Sequence, residues 1–213
     1  MNRRSLTRHL AFAALGLAMA ISSVHAADEA PDALVKRLSD EVLNAIKADK
    51  SIKAGDVQPV IALVDQKILP NLNFQRMTAS AVGPAWRQAS PEQQQRLQEE
   101  FKILLIRTYA GALAQVTDQT IVVRPLRAAP TDNEVVVRSE IRGRGEPVQL
   151  DYRLEKTPGQ GAGWRIFNLN VLGVWLVDTY RSQFSAEINA RGIDGLINTL
   201  AERNKANSAA RKS

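Results

Sequence analysis

Between Gly163 and Phe184 the chain reads GWRIFNLNVLGVWLVDTYRSQF, and the spacing of its apolar residues changes partway along. Residues 164–172 form an extended run of Trp, Ile, Phe, Leu and Val, whereas beyond Gly173 the residues Leu176, Tyr180 and Phe184 stand four apart. A period that passes from two to about 3.6 predicts a strand feeding a helix. A strand and helix this apolar need a sheet on one side and further helices on the other. The rest of the chain supplies both.

Three more runs of period two precede this one, at 120–127, 134–142 and 148–155. Short turn-like stretches separate them, so the four runs predict a four-stranded antiparallel sheet built as a meander. In the third run Val148, Leu150, Tyr152 and Leu154 share one face, while Gln149, Asp151, Arg153 and Glu155 share the other. The second run agrees, with Val135, Val137 and Ile141 against Arg138, Glu140 and Arg142. One face of the sheet is dry and one is wet.

Helical spacing occupies the N-terminal half. Residues 31–49 carry Val35, Leu38, Val42 and Ile46 on one face; a second helix starts at the cap Asp56 and stops at Pro70; a third, 73–81, shows Phe74 and Met77. Ser90-Pro91-Glu92-Gln93 is the clearest helix start, with a cap, a proline at the first position and a glutamine placed to close a capping box. The helix it opens runs to about Val116. Its apolar sector, from Leu97 through Phe101, Leu104, Leu105, Tyr109 and Leu113, is wider than one helix contact requires. A last helix follows a break at Gly192. The expectation is a single α+β domain, with helices packed on one face of the sheet.

Residues 1–26 read as a secretory signal peptide: Arg3, Arg4 and Arg8 precede an apolar stretch, and Val24-His25-Ala26 resembles a cleavage site. The apolar stretch is shorter than the roughly 20 residues that span a bilayer. No Cys follows it, which excludes a lipoprotein anchor, so an exported, soluble mature domain is expected over 27–204. Residues 205–213 read as a basic, flexible tail.

Composition then removes most chemistry. The chain has no Cys, and its two histidines, His9 and His25, both lie in the signal segment. Zinc sites ligated by His or Cys, redox dithiols and Ser-His-Asp triads therefore fall away, and no metal or cofactor is expected. The formal net charge is +6, half of it from the signal arginines, and no basic stripe interleaved with aromatics suggests nucleic acid. The loop 159–163, GQGAG, precedes a strand rather than a helix and lacks a following Lys-Ser/Thr, so it reads as a hairpin turn rather than a phosphate loop. Asp65 and Asp178 sit in apolar helical contexts; each reads as a solvated or paired carboxylate, or as a buried acid for an enzyme on a cone-shaped scaffold. Residues that line a pocket and residues that fill a core look alike in a sequence, so a hollow domain and a solid adaptor both fit the pattern.

Several short words resemble one family. They are Val64-Asp65-Gln66-x-x-Leu69-Pro70, Ala89-Ser90-Pro91-x-Gln93, Thr108-Tyr109 with Ala112-Leu113, and Pro147-Val148-x-Leu150-Asp151-Tyr152. Trp164, Gly173-Val174 and Gly192-Ile193-Asp194-Gly195-Leu196 complete the series in the same order. Together they resemble the MlaC family of periplasmic phospholipid carriers, also called the toluene-tolerance or ABC-transporter auxiliary family. Trp175 departs from the pattern, since relatives often have Ser there.

The resemblance implies an apolar cavity between sheet and helices that shelters acyl chains and leaves the headgroup near solvent. It further implies a non-enzymatic shuttle between an outer-membrane lipoprotein–porin complex and an inner-membrane ABC transporter with an MCE-domain ring, maintaining outer-membrane lipid asymmetry. Matched to periodicity, it implies tail contacts from the helices at Val64, Leu69, Phe74, Met77, Leu105, Tyr109 and Leu113. From the sheet it implies Val137, Val148, Leu150 and Tyr152, with Trp175 beyond them. Arg142 and Arg144 are the candidates for the headgroup.

Overall fold

The computed structural model describes residues 29–126, 129 and 131–209; the signal segment 1–26, the end of the first predicted strand at Arg127 and the last four residues lie outside them. The N-terminal half is helical: α1 Pro31–Ala48, α2 Lys50–Lys53, α3 Val57–Leu63, α4 Phe74–Val82 and α5 Pro91–Ala114. Local chemistry sets their starts. Asp49, Asp56 and Asn73 each accept a hydrogen bond from a first-turn backbone N–H of α2, α3 and α4. At α5 the Ser90 hydroxyl accepts from the Gln93 N–H, and the Gln93 side chain accepts from the Ser90 N–H in return.

The helix expected to run to Pro70 departs from α geometry earlier. After Leu63 it widens into a π turn, Val64–Ile68, then tightens into a 3-10 turn, Leu69–Asn71. Pro70 offers no N–H to continue the ladder, so the chain ends there in a tighter form.

The sheet is an antiparallel meander in the order β1 (Thr120–Val123), β2 (Glu134–Arg142), β3 (Val148–Lys156), β4 (Trp164–Val171) and β5 (Val174–Trp175). The fifth strand corrects the expected four. Leu172, at φ 52°, and Gly173, at φ 87°, reverse the chain within two residues, and Asn170 Oδ1 accepts the Gly173 N–H at 2.8 Å. Two residues then pair back on β4 before α6 (Leu176–Ala209) begins. Gly192 breaks α6 at φ 72°, ψ −174°, a conformation open essentially to glycine alone.

Three buried clusters hold the layers together. Leu34, Val35 and Leu38 of α1 pack on Val135, Val137, Leu154 and Ile166 of the dry sheet face. Leu97, Phe101 and Leu104 of α5 meet Met77 of α4 and Phe184, Leu196 and Leu200 of α6. Ile46, Ile52 and Val60 close on Ile106 and Ala110 at the far end of α5. Phe167, skipped in the β3–β4 register, joins the α4–α6 cluster from a bulge. The clusters meet around a space that none of them fills.

Candidate functional site: an apolar cavity

That space is a cavity of about 330 Å³, within the range of small-molecule sites. Twenty-five of the described residues line it, drawn mostly from α1, α3 with its π and 3-10 continuation, α4, α5, the start of α6 and strands β1–β4. Helical spacing brings them there: α5 contributes Lys102, Leu105, Tyr109 and Leu113 at steps of three and four, with Ile106 beside Leu105, and Val116 follows just past the helix end. Strand parity does the same in β3, where Leu150 and Tyr152 point in and Gln149 and Asp151 do not.

Nine of the twelve residues expected to touch the tails border the cavity: Val64, Leu69, Phe74, Met77, Leu105, Tyr109, Leu113, Leu150 and Tyr152. Val137, Val148 and Trp175 do not. Val137 faces the same way as Tyr152, its partner in register, but α1 covers it and leaves it fully buried in solid core. Val148 pairs with Ile141 at the end of the β2–β3 ladder, and it is Ile141 that reaches the lining. Trp175 sits in β5, with the Arg153 guanidinium carbon 4.1 Å from its ring centroid.

Arg142 and Arg144 do not border the cavity either. Arg142 pairs with Glu140 beside it on β2, and Arg144, almost fully exposed, reaches Asp118 at 3.4 Å. The lining cation is Lys102, which the sequence reading passed over because it stands inside an apolar helical sector. Also missed were Leu38, Ser39, Val42, Leu43 and Ile46 of α1, although the stripe Leu38, Val42, Ile46 was visible as amphipathic spacing.

Polar groups are few along the walls. Burial pushes the Tyr152 phenol above its ordinary range, opposed in part by hydrogen bonding to the hydroxyls of Ser39 and Ser139. Burial likewise raises Tyr109. Lys102 Nζ donates to Asp65 Oδ1 at 2.8 Å. Asp178 lies outside the lining, 3.7 Å from Arg153. Both carboxylates weighed as buried acids are thus substantially exposed and paired with cations. Among the described residues no group of three acidic, His or Cys side chains is placed to hold a metal ion, and no helix is long and apolar enough to cross a membrane.

A dry hollow with one cation and a few hydroxyls suits a ligand that is mostly hydrocarbon, which makes this a binding protein for an apolar or amphipathic molecule. The chain belongs to the MlaC family: the family model described as MlaC protein matches residues 36–202. A toluene tolerance protein, ttg2D, of Pseudomonas putida is 27% identical over 79% of this chain and 77% of its own. An intermembrane phospholipid transport system binding protein, MlaC, of Haemophilus influenzae is 23% identical over 83% of each chain. Among solved structures, a phospholipid-binding protein from Ralstonia solanacearum in complex with a phospholipid superposes with a TM-score of 0.79 at 50% identity, covering 83% of this chain and 98% of that one.

Proposed function

We propose that this chain is a periplasmic phospholipid carrier, exported by its signal segment, whose cavity takes the acyl chains of a lipid in transit between the two membranes. One observation carries the reading: of the twenty-five described residues that line the cavity, only Lys102 is charged. The phospholipid held by the Ralstonia solanacearum relative supports it.

The physical need is plain. A buried methylene is worth about 0.8 kcal/mol, so a two-chain lipid with about 30 of them faces roughly 20 kcal/mol on entering water bare. A carrier lowers that barrier by supplying dry volume and breaks no bond. Unloading then goes to whatever takes the tails better than the cavity does, an acceptor membrane or a partner that binds the opened carrier. An outer-membrane lipoprotein–porin complex and an inner-membrane ABC transporter with an MCE-domain ring are the partners that complete such a route, with maintenance of outer-membrane lipid asymmetry as its outcome.

Transfer of labelled phospholipid between two vesicle populations tests the proposal. The expected result is a transfer rate proportional to the concentration of this protein. Labelled lipid that stays in the donor vesicles at every protein concentration contradicts it.

A further inference from the structure

The lining stripe of α5 begins with a cation. Lys102 is followed by Leu105, Tyr109, Leu113 and Val116, all bordering the cavity. At 1.5 Å per residue the helix rises about 16.5 Å from Lys102 to Leu113, the last of these inside α5. One leaflet of a bilayer core is about 15 Å deep, half of roughly 30 Å. A positive charge therefore stands at one end of a dry trough long enough for an acyl chain, as the phosphate stands to the tail in a phospholipid.

That end also meets water. The Lys102 side chain is 24% exposed, and the Asp65 carboxylate that holds its ammonium at 2.8 Å is 42% exposed. The methylenes of Lys102 line the wall while its head reaches solvent. An ammonium has three donors, and the bond to Asp65 uses one of them. Asp65 itself belongs to the π turn that follows α3, between Val64 and Ile68, both of which line the cavity. Pair and trough are thus assembled from the same two walls.

We infer that Lys102 is the contact for the headgroup phosphate, and that Asp65 holds its ammonium at the mouth until a lipid phosphate takes the carboxylate's place. The inference rests on the phospholipid reading above and adds to it a phosphate preference with a named residue and a named competitor. A phosphate accepts charge-assisted hydrogen bonds as a carboxylate does, with more oxygens to offer.

The test offers the purified protein equimolar phosphatidylglycerol and diacylglycerol of the same chain composition in mixed vesicles, then extracts and weighs what is bound. The native protein should prefer the phospholipid. Lys102→Met keeps the stem and loses the charge, so its phospholipid-to-diacylglycerol ratio should fall about tenfold, the size of one charge-assisted bond. Asp65→Asn removes the competitor and keeps the ammonium, so its ratio should equal or exceed the native one. Lys102→Arg retains a cation at that place and should keep the preference, which gives an independent readout if the methionine variant folds poorly. A Lys102→Met ratio equal to the native one overturns the inference, as does an Asp65→Asn or Lys102→Arg ratio that drops to the diacylglycerol level. Native protein that takes up neither lipid overturns the carrier reading along with it. Native protein that takes up both equally overturns the phosphate contact alone.

Discussion

Leu150 and Leu154 lie four residues apart on the same face of β3, yet their surroundings differ. Leu154 is fully buried against α1, whereas Leu150 borders the cavity. Truncating Leu154 to Ala removes about three methylene equivalents at about 0.8 kcal/mol each. It also leaves a void in solid packing, which adds about 24 cal/mol per Å³ and brings the total to roughly 3–4 kcal/mol. Truncating Leu150 enlarges a hollow that already exists, so little new cavity wall is made and the cost should be about 1–2 kcal/mol. With an m-value of about 2 kcal/mol per M for a domain of this size, the two variants should separate by about 1 M in urea midpoint. The assay is urea unfolding of delipidated protein followed by fluorescence. Reloading with phospholipid should widen the gap between native and Leu150→Ala, because the variant loses tail contacts, and leave the gap for Leu154→Ala nearly as it was. Equal midpoint losses for the two delipidated variants would refute the reasoning, since Leu150 would then be core.

Other perturbations probe the cavity and the frame around it. Leu105→Trp places a large ring into about 330 Å³ of open space, so lipid content should fall several-fold while the melting temperature of the delipidated protein stays within a few degrees; unchanged lipid content contradicts this. Burial raises Tyr152 above its ordinary value of 10.0, so the folded state holds this proton more tightly than the unfolded one, and the stability that depends on it is present below about pH 10 and lost as pH climbs toward the folded value. The stability difference between native protein and Tyr152→Phe should therefore shrink from pH 8 to about pH 11, and a gap that stays constant refutes the linkage. Gly192→Ala forces a side chain into φ 72°, ψ −174°, which should cost about 1–3 kcal/mol in chemical unfolding; a cost near zero means that the kink relaxes.

Much of this architecture was readable in the residues because periodicity and capping are local. The capping box at Ser90, the alternation in β3 and the break at Gly192 follow from neighbours within a few positions, and each stands where the pattern put it. The two-residue β5 was not readable. It depends on Leu172 accepting a left-handed conformation and on the Asn170 side chain satisfying Gly173, and neither has a periodic signature. The π turn at Val64–Ile68 hid for the same reason, since widening a helix by one residue leaves its composition unchanged.

The cavity was legible by face and illegible by depth. Parity correctly put Leu150, Tyr152 and Val137 on the dry side of the sheet, but only the placement of α1 decides which of them meets space and which meets Leu34 and Val35. The charged group failed in the opposite direction. Arginines at a hairpin looked available and turned out to be engaged by Glu140 and Asp118, whereas Lys102 is aimed along the lining by its place on α5.

Native mass spectrometry of the protein recovered from the periplasm of a Gram-negative host tests the central claim most directly, with Leu105→Trp as the control. The account predicts a main species heavier than the polypeptide by the mass of bound phospholipid, strongly reduced in the tryptophan variant. A spectrum showing only bare polypeptide for the native protein, before and after incubation with phospholipid vesicles, contradicts it.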